Sequence, residues 1–125
     1  MPPLVLLVED MEDNLVLDKS LLEMADFRVV EARDGREAIA QAQAYHPDLI
    51  LLDMSLPEID GWTVARTLRQ HPDFASTLIV ALTAHAMPGD REKTLDAGCD
   101  EFMTKPIDVP NFLAAITKIL EAKRG

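Results

Sequence analysis

The chain has one cysteine, Cys99, so no disulfide can form within it and a disulfide-stapled secreted scaffold is ruled out. It also lacks any apolar run approaching the roughly 20 residues of a membrane-spanning helix, and nothing ahead of Leu4 has the charged and apolar regions of a signal peptide. Basic residues are few: 12 Lys and Arg stand against 22 Asp and Glu, a formal net charge of -10. Such a surface repels phosphate backbones and anionic lipid, which argues against nucleic acid or membrane as a direct partner and for a soluble, cytoplasmic protein. No repeat, linker or low-complexity segment interrupts the 125 residues, a length that suits one domain, 1–125, with a single real core.

What the sequence does contain is organised around DLILLDMSLPEIDGW, residues 48–62. Four apolar residues, Leu49 to Leu52, run into Asp53, and Ser55, Pro57, Glu58, Asp60 and Gly61 then supply turn chemistry. A short apolar run bounded by turn signals reads as a strand buried on both faces, with Asp53 at its carboxyl end. LVLLV (Leu4 to Val8) repeats the layout and ends in Glu9 and Asp10, and Leu78 to Leu82 repeats it again before Thr83. FRVVEA (27–32) and DEFMTKP (100–106) are mixed strands, the second with Lys105 at its exit.

Helical spacing fills the gaps. Residues 12–25 place Leu17, Leu21 and Met24 on one stripe, which predicts the core face there and leaves Leu15 and Val16 off it as candidates for docking a partner helix. Gly35 to Ala44 is an Ala-rich helix stopped by His46 and Pro47, and Gly61 to Arg69 carries Val64, Ala65 and Leu68. HPDFAST reads as a loop, Met87 to Ala97 as a charged helix stopped by Gly98, and Val109 to Ala122 as an amphipathic helix with Phe112, Ile116 and Ile119 in register.

Five strands alternating with five helices argue for an α/β, doubly wound parallel sheet. Strands one, three and four are continuously apolar and belong in the middle, two and five at the edges, which an order of 2-1-3-4-5 satisfies. In that flavodoxin-like (βα)5 order the switch point lies between strands one and three, and ligands bind at the carboxyl ends there. Glu9, Asp10 and Asp53 meet at that point, flanked by Thr83 and Lys105.

Three carboxylates about 5 Å apart repel by roughly 3 kcal/mol per pair at an effective dielectric near 20. A hard dication offsets that, and Mg²⁺ suits one or two carboxylates with a carbonyl, waters and a phosphate oxygen. An ionised Asp needs no general base to act as a nucleophile, so Asp53 can attack phosphorus, with Thr83 and Lys105 on the equatorial oxygens.

VED, LLDMSLPEIDGW, ALTA and KPID, in this order and spacing, resemble the receiver domain of two-component response regulators across essentially the whole chain. The resemblance implies a phosphorylation-dependent switch that takes a phosphoryl group on Asp53 from a histidine kinase or histidine phosphotransfer protein, catalysing at most its own phosphorylation and dephosphorylation. It implies Mg²⁺ held by Asp10, Asp53 and the backbone carbonyl of Ser55, with Glu9 acting through water. It further implies that Thr83 and Lys105 grip the phosphoryl group, that Phe102 is an aromatic switch, and that the Lys105–Pro106 bond is cis. Output would run through the face of the fourth helix, fifth strand and fifth helix to a downstream protein. The chain resembles a stand-alone regulator, with Met1 and the short tail EAKRG favouring a complete small protein.

Each of these residues also has a plainer reading. Acidic residues after a strand often cap the next helix, Thr83 can be a turn hydroxyl, Lys105 a solvated charge and Phe102 ordinary core. Cys99 reads as a small packing residue, His46 and His71 as surface, and His85 as a residue that can overhang the site. Other classes stay open beside the receiver. A flavin carrier shares the strand order but wants a hydroxyl- or Gly-rich loop where MEDN stands. An aspartate-based phosphatase wants a second carboxylate where Ser55 stands. A receiver segment of a hybrid kinase or multidomain regulator is consistent with every residue.

Overall fold

The three unbroken apolar runs become the inner strands of a five-stranded parallel sheet: β1 (Leu4–Val8), β3 (Leu49–Asp53) and β4 (Leu78–Thr83). The mixed runs, β2 (Arg28–Ala32) and β5 (Glu101–Thr104), form its edges, and the order is β2-β1-β3-β4-β5. The computed structural model describes residues 3–83, 87–104 and 108–124. Between the strands run α1 (Glu12–Met24), α2 (Gly35–Tyr45), α3 (Gly61–Gln70) and α4 (Asp90–Asp96), with α5 (Val109–Arg124) last.

Strand alternation builds two cores, one on each face. Leu6, Val8, Ile50, Leu52, Ile79 and Ala81 point to the side covered by α2 and α3, where Ala38, Ala42, Val64 and Leu68 meet them. Val5, Leu7, Leu49, Leu51, Val80 and Leu82 point to the other, against Leu15 and Leu22 of α1 and Phe112 of α5. Each fully buried Leu, Ile or Val contributes about 1.5–3 kcal/mol over its exposed state, so the inner strands are the main anchor of the fold.

Local chemistry sets the helix ends. Asp34 and Asp60 cap α2 and α3, their side chains accepting from the N–H groups of Glu37 and Thr63, each at 2.8 Å. His46 ends α2 in the left-handed region (φ 47°), just before buried Pro47. At the far end of α3 one guanidinium gathers several loops. Arg69 donates to the carbonyls of Phe74 (2.7 Å), Thr77 (2.6 Å) and Gly98 (2.6 Å) and pairs with the Asp100 carboxylate at 2.6 Å. That carboxylate also accepts from the N–H of Ile79 at 2.9 Å, joining the start of β4 to the turn before β5.

Along the outer edge, the Ala32 carbonyl faces β1 and accepts from Glu9 N–H at 3.0 Å, so the neighbouring Glu31 carbonyl faces away from the sheet. Gln41 of α2 donates to it from Nε2 at 3.2 Å, and Lys19 of α1 pairs with the Glu31 carboxylate at 2.9 Å.

Four expectations need correction. The inward stripe of α1 is Leu15, Asp18 and Leu22, not Leu17, Leu21 and Met24. Leu15 is 1% exposed, whereas Leu17 is 51% and Met24 82% exposed, so Leu15 cannot dock a partner and Val16, 55% exposed, can. The polar Asp18 in the middle of the true stripe hid it from a hydrophobic pattern. The loop HPDFAST contains a 3-10 turn, Pro72–Phe74, which drives Phe74 into the core between the rings of His46 and His71. The charged helix expected from Met87 starts only at Asp90, because Pro88 and Gly89 (φ 88°) make a turn closed by Asp90 N–H on the Met87 carbonyl at 3.0 Å. The last strand begins at Glu101, not Asp100, and runs through Thr104; residues 105 and 106 of the expected run lie outside the described residues.

Candidate functional site

The register of the inner strands brings their carboxyl ends level. Val8 pairs with Leu52, so Glu9 and Asp10 leave β1 beside Asp53, while Asp53 pairs with Leu82 one residue before Thr83. Carboxylate oxygens of Glu9, Asp10 and Asp53 all lie within 4.8 Å of one another. Glu9 and Asp53 are buried, at 1% and 3% exposure, and Asp10 opens to solvent. Thr83, also buried, closes the β4 side.

The loop after β3 is held against the site by its backbone. Ser55 N–H donates to Asp53 Oδ1 at 2.9 Å, and Met54 N–H to the Leu82 carbonyl at 3.0 Å. The start of α3 then presses on the same backbone. A Cβ at Gly61 would lie 2.8 Å from the Asp53 carbonyl oxygen and from Met54 Cα, so only glycine fits there. Glu58, in the intervening loop, takes a left-handed φ of 63°.

All three acidic groups are hard oxygen donors, and among the described residues no imidazole or thiolate joins the cluster. In an octahedron of Mg²⁺–O bonds near 2.0–2.1 Å, ligand oxygens lie about 3 Å apart when adjacent and about 4 Å when opposite. Oxygens already within 4.8 Å reach those separations by small side-chain rotations, so the residues present fit Mg²⁺. A buried Glu–Asp pair gains most from such a charge, since its repulsion is least screened by water.

Among the sequence candidates, the strand ends thus unite Glu9, Asp10, Asp53 and Thr83, with Ser55 on the exposed rim of the loop. Phe102 is half-buried on β5, packed against the core on the α2 and α3 side. Lys105, the Lys105–Pro106 bond and His85 lie outside the described residues. Cys99 is buried and its thiol is pushed up to about 12 by desolvation, which keeps it protonated and unreactive. Sequence reasoning missed Gly61 as a contact of the Asp53 backbone, and it missed the indole of Trp62, whose Nε1–H donates to Thr94 Oγ1 at 3.0 Å. The dipeptide Gly61–Trp62 behind the capping Asp60 is the only trace these leave in the sequence.

Comparison with known families decides what such a strand-end cluster belongs to: the response regulator receiver domain matches residues 5–117. The chain belongs to this family. It is 39% identical over 116 residues to the polar-differentiation response regulator DivK of Brucella ovis, covering 93% of this chain and 94% of that protein. The receiver fold here superposes on a putative response regulator from Chloroflexus aurantiacus with a TM-score of 0.90, at 29% identity and covering 97% and 99% of the two chains. It is similar too to the receiver domain of a sensor histidine kinase from Pseudomonas aeruginosa, described with a magnesium ion coordinated in its active-site cleft (TM-score 0.87, 31% identity, 97% and 99% covered). As a receiver of a response regulator, the protein is a two-component signalling protein, and its acidic cluster occupies the switch point that the β2-β1-β3-β4-β5 order creates.

Proposed function

We propose that the protein is a response regulator receiver that accepts a phosphoryl group on Asp53 from the phosphohistidine of a histidine kinase or phosphotransfer protein. The observation that carries this reading is the convergence of Glu9, Asp10 and Asp53 within 4.8 Å at the carboxyl ends of β1 and β3. Asp10, Asp53 and the Ser55 carbonyl would hold Mg²⁺, with Glu9 reaching it through water. The ion supplies positive charge that offsets the carboxylates and neutralises phosphoryl oxygens.

The chain's own part is nucleophilic attack and positioning. An Asp53 carboxylate oxygen forms the new P–O bond as the donor's P–N bond breaks, and the leaving imidazole keeps the electron pair and takes up a proton. Ser55 N–H, at 2.9 Å from Asp53 Oδ1, orients the carboxylate. Thr83 and Lys105 bind equatorial oxygens of the transferred group. The new charge draws the Thr83 hydroxyl inward and lets Phe102 rotate into the space behind it, reshaping the α4, β5 and α5 face that a downstream protein reads.

The test is incubation with Mg²⁺ and a small phosphodonor, followed by mass spectrometry. One phosphoryl mass on Asp53 is expected, abolished in Asp53→Asn and suppressed by chelation. Modification mapped to another residue would overturn the reading. Thr83→Ala should keep phosphorylation while weakening its effect on partner affinity, and a pull-down with and without a phosphoryl mimic would name that partner.

A further inference from the structure

The backbone of Asp53 is in direct contact with the first turn of α3. Gly61 N–H donates to the Met54 carbonyl at 3.4 Å, and the space a Gly61 side chain would need is filled by Asp53 and Met54 backbone atoms. A shift of the Asp53–Met54 backbone therefore displaces the next residue, Trp62. Its indole is packed against the core, donates to Thr94 Oγ1 at 3.0 Å, and carries the Lys93 ammonium 3.9 Å above the ring centroid.

At the other end of this bond, α4 is weakly held. It has seven residues, and Thr94 is its one buried side chain, at 0% exposure. Its capping residue, Gly89, has open space around it, and Arg91, Glu92, Lys93 and Leu95 are exposed. Arg91 pairs with Glu101 of β5 at 2.9 Å, but with Arg91 largely in water such a pair restrains a helix little. The indole–hydroxyl bond is sheltered and directional, and together with the Lys93 ammonium over the same ring it ties the first turn of α3 to α4.

We propose that Trp62 is a positioning residue that transmits a change at Asp53 to α4 through Thr94, by a route separate from Thr83 and Phe102. This rests on Asp53 being the phospho-acceptor. Two contacts in series carry it: backbone on backbone at Gly61, then Nε1–H on Oγ1 at Thr94.

The experiment measures amide hydrogen exchange over residues 90–96 in the full chain, before and after phosphorylation by a small donor with Mg²⁺. Wild type should show a change in exchange there on modification. Trp62→Phe keeps a ring but loses the donor, and its response at 90–96 should fall about fivefold, the ordinary worth of a neutral hydrogen bond, with the rate of Asp53 phosphorylation unchanged. Thr94→Val should do the same, and the double variant no more than either single one. Thr94→Ser retains the hydroxyl and should restore the response, which a purely packing role would not do. If Trp62→Phe fails to fold, the Thr94→Val and Thr94→Ser pair carries the same comparison. An undiminished response in Trp62→Phe or Thr94→Val, or a modified wild type with no change at 90–96, overturns the proposal. Absence of any phosphoryl mass in wild type instead overturns the phospho-acceptor reading beneath it.

Discussion

Replacing Asp53 by Asn in metal-free buffer should stabilise the protein, although it removes the residue on which the proposed chemistry depends. The carboxylates of Glu9, Asp10 and Asp53 approach within 4.8 Å, where two unit charges repel by about 3.5 kcal/mol at an effective dielectric of 20 and about 0.9 kcal/mol in water. The larger figure applies to the buried Glu9–Asp53 pair and the smaller to the exposed Asp10. The neutral amide of the variant escapes both repulsions. Its weaker hydrogen bond to Ser55 N–H, and the loss of attraction to other partners of the Asp53 carboxylate, return part of that gain and leave a net stabilisation of about 2 kcal/mol.

For a chain of 125 residues, 1 kcal/mol moves the thermal midpoint by about 4 °C, so Asp53→Asn in chelator should melt about 8 °C above wild type. Mg²⁺ at ten times its dissociation constant would add about 1.4 kcal/mol to wild type, and much less to the variant, closing most of the gap. Calorimetry of both proteins, in chelator and across a Mg²⁺ titration, reads all four states. A variant that melts at or below wild type in chelator would refute the claim that the cluster is held together against its own repulsion. Raising the salt concentration should narrow the difference as well, because the exposed share of the repulsion is screened.

Gly61→Ala should cost about 1–3 kcal/mol in denaturant unfolding and slow Asp53 phosphorylation, because the added methyl meets backbone at 2.8 Å that has no room to yield. Arg69→Lys should cost about 2–4 kcal/mol despite keeping the charge, since an ammonium cannot span the Phe74, Thr77 and Gly98 carbonyls and Asp100 together; urea titration would show it. Cys99 should react with a thiol reagent only as fast as the chain opens. Its folded value near 12 lies above the ordinary 9.0, so the native state holds the proton longer, and the stabilisation this gives is complete below pH 9 and lost as pH rises from there toward 12. Val16→Lys, on the exposed side of α1, should slow transfer from a phosphohistidine protein and leave small-donor phosphorylation alone; equal slowing with both donors would place docking elsewhere.

The sheet order is legible in the sequence because burial on both faces demands unbroken apolar runs, and among the five strands only Leu4–Val8, Leu49–Leu52 and Leu78–Leu82 supply them. The acidic cluster is legible for a related reason: side chains at the carboxyl ends of neighbouring parallel strands must converge, whatever lies between them in the chain. The face of α1 is not legible. Leu17, Leu21 and Met24 have as good a helical period as Leu15, Asp18 and Leu22, and only tertiary packing decides between them. The late start of α4 follows from the backbone of Gly89, and the burial of Phe74 from a 3-10 turn in a segment with no periodicity to read. Trp62 reaches Thr94, and Arg69 reaches Gly98 and Asp100, across 29 to 32 residues, and no local pattern reports such contacts.

The Gln41 amide on the Glu31 carbonyl has a consequence for assembly. A parallel sheet that ends in an open strand invites another chain to extend it, and β2 is such an end. An added strand would need the outward Glu31 carbonyl as an acceptor, and would first have to expel the amide that already occupies it. It would also have to push aside the Lys19–Glu31 ion pair, desolvating both charges as it came in. Two side chains from flanking helices thus guard this border against strand addition.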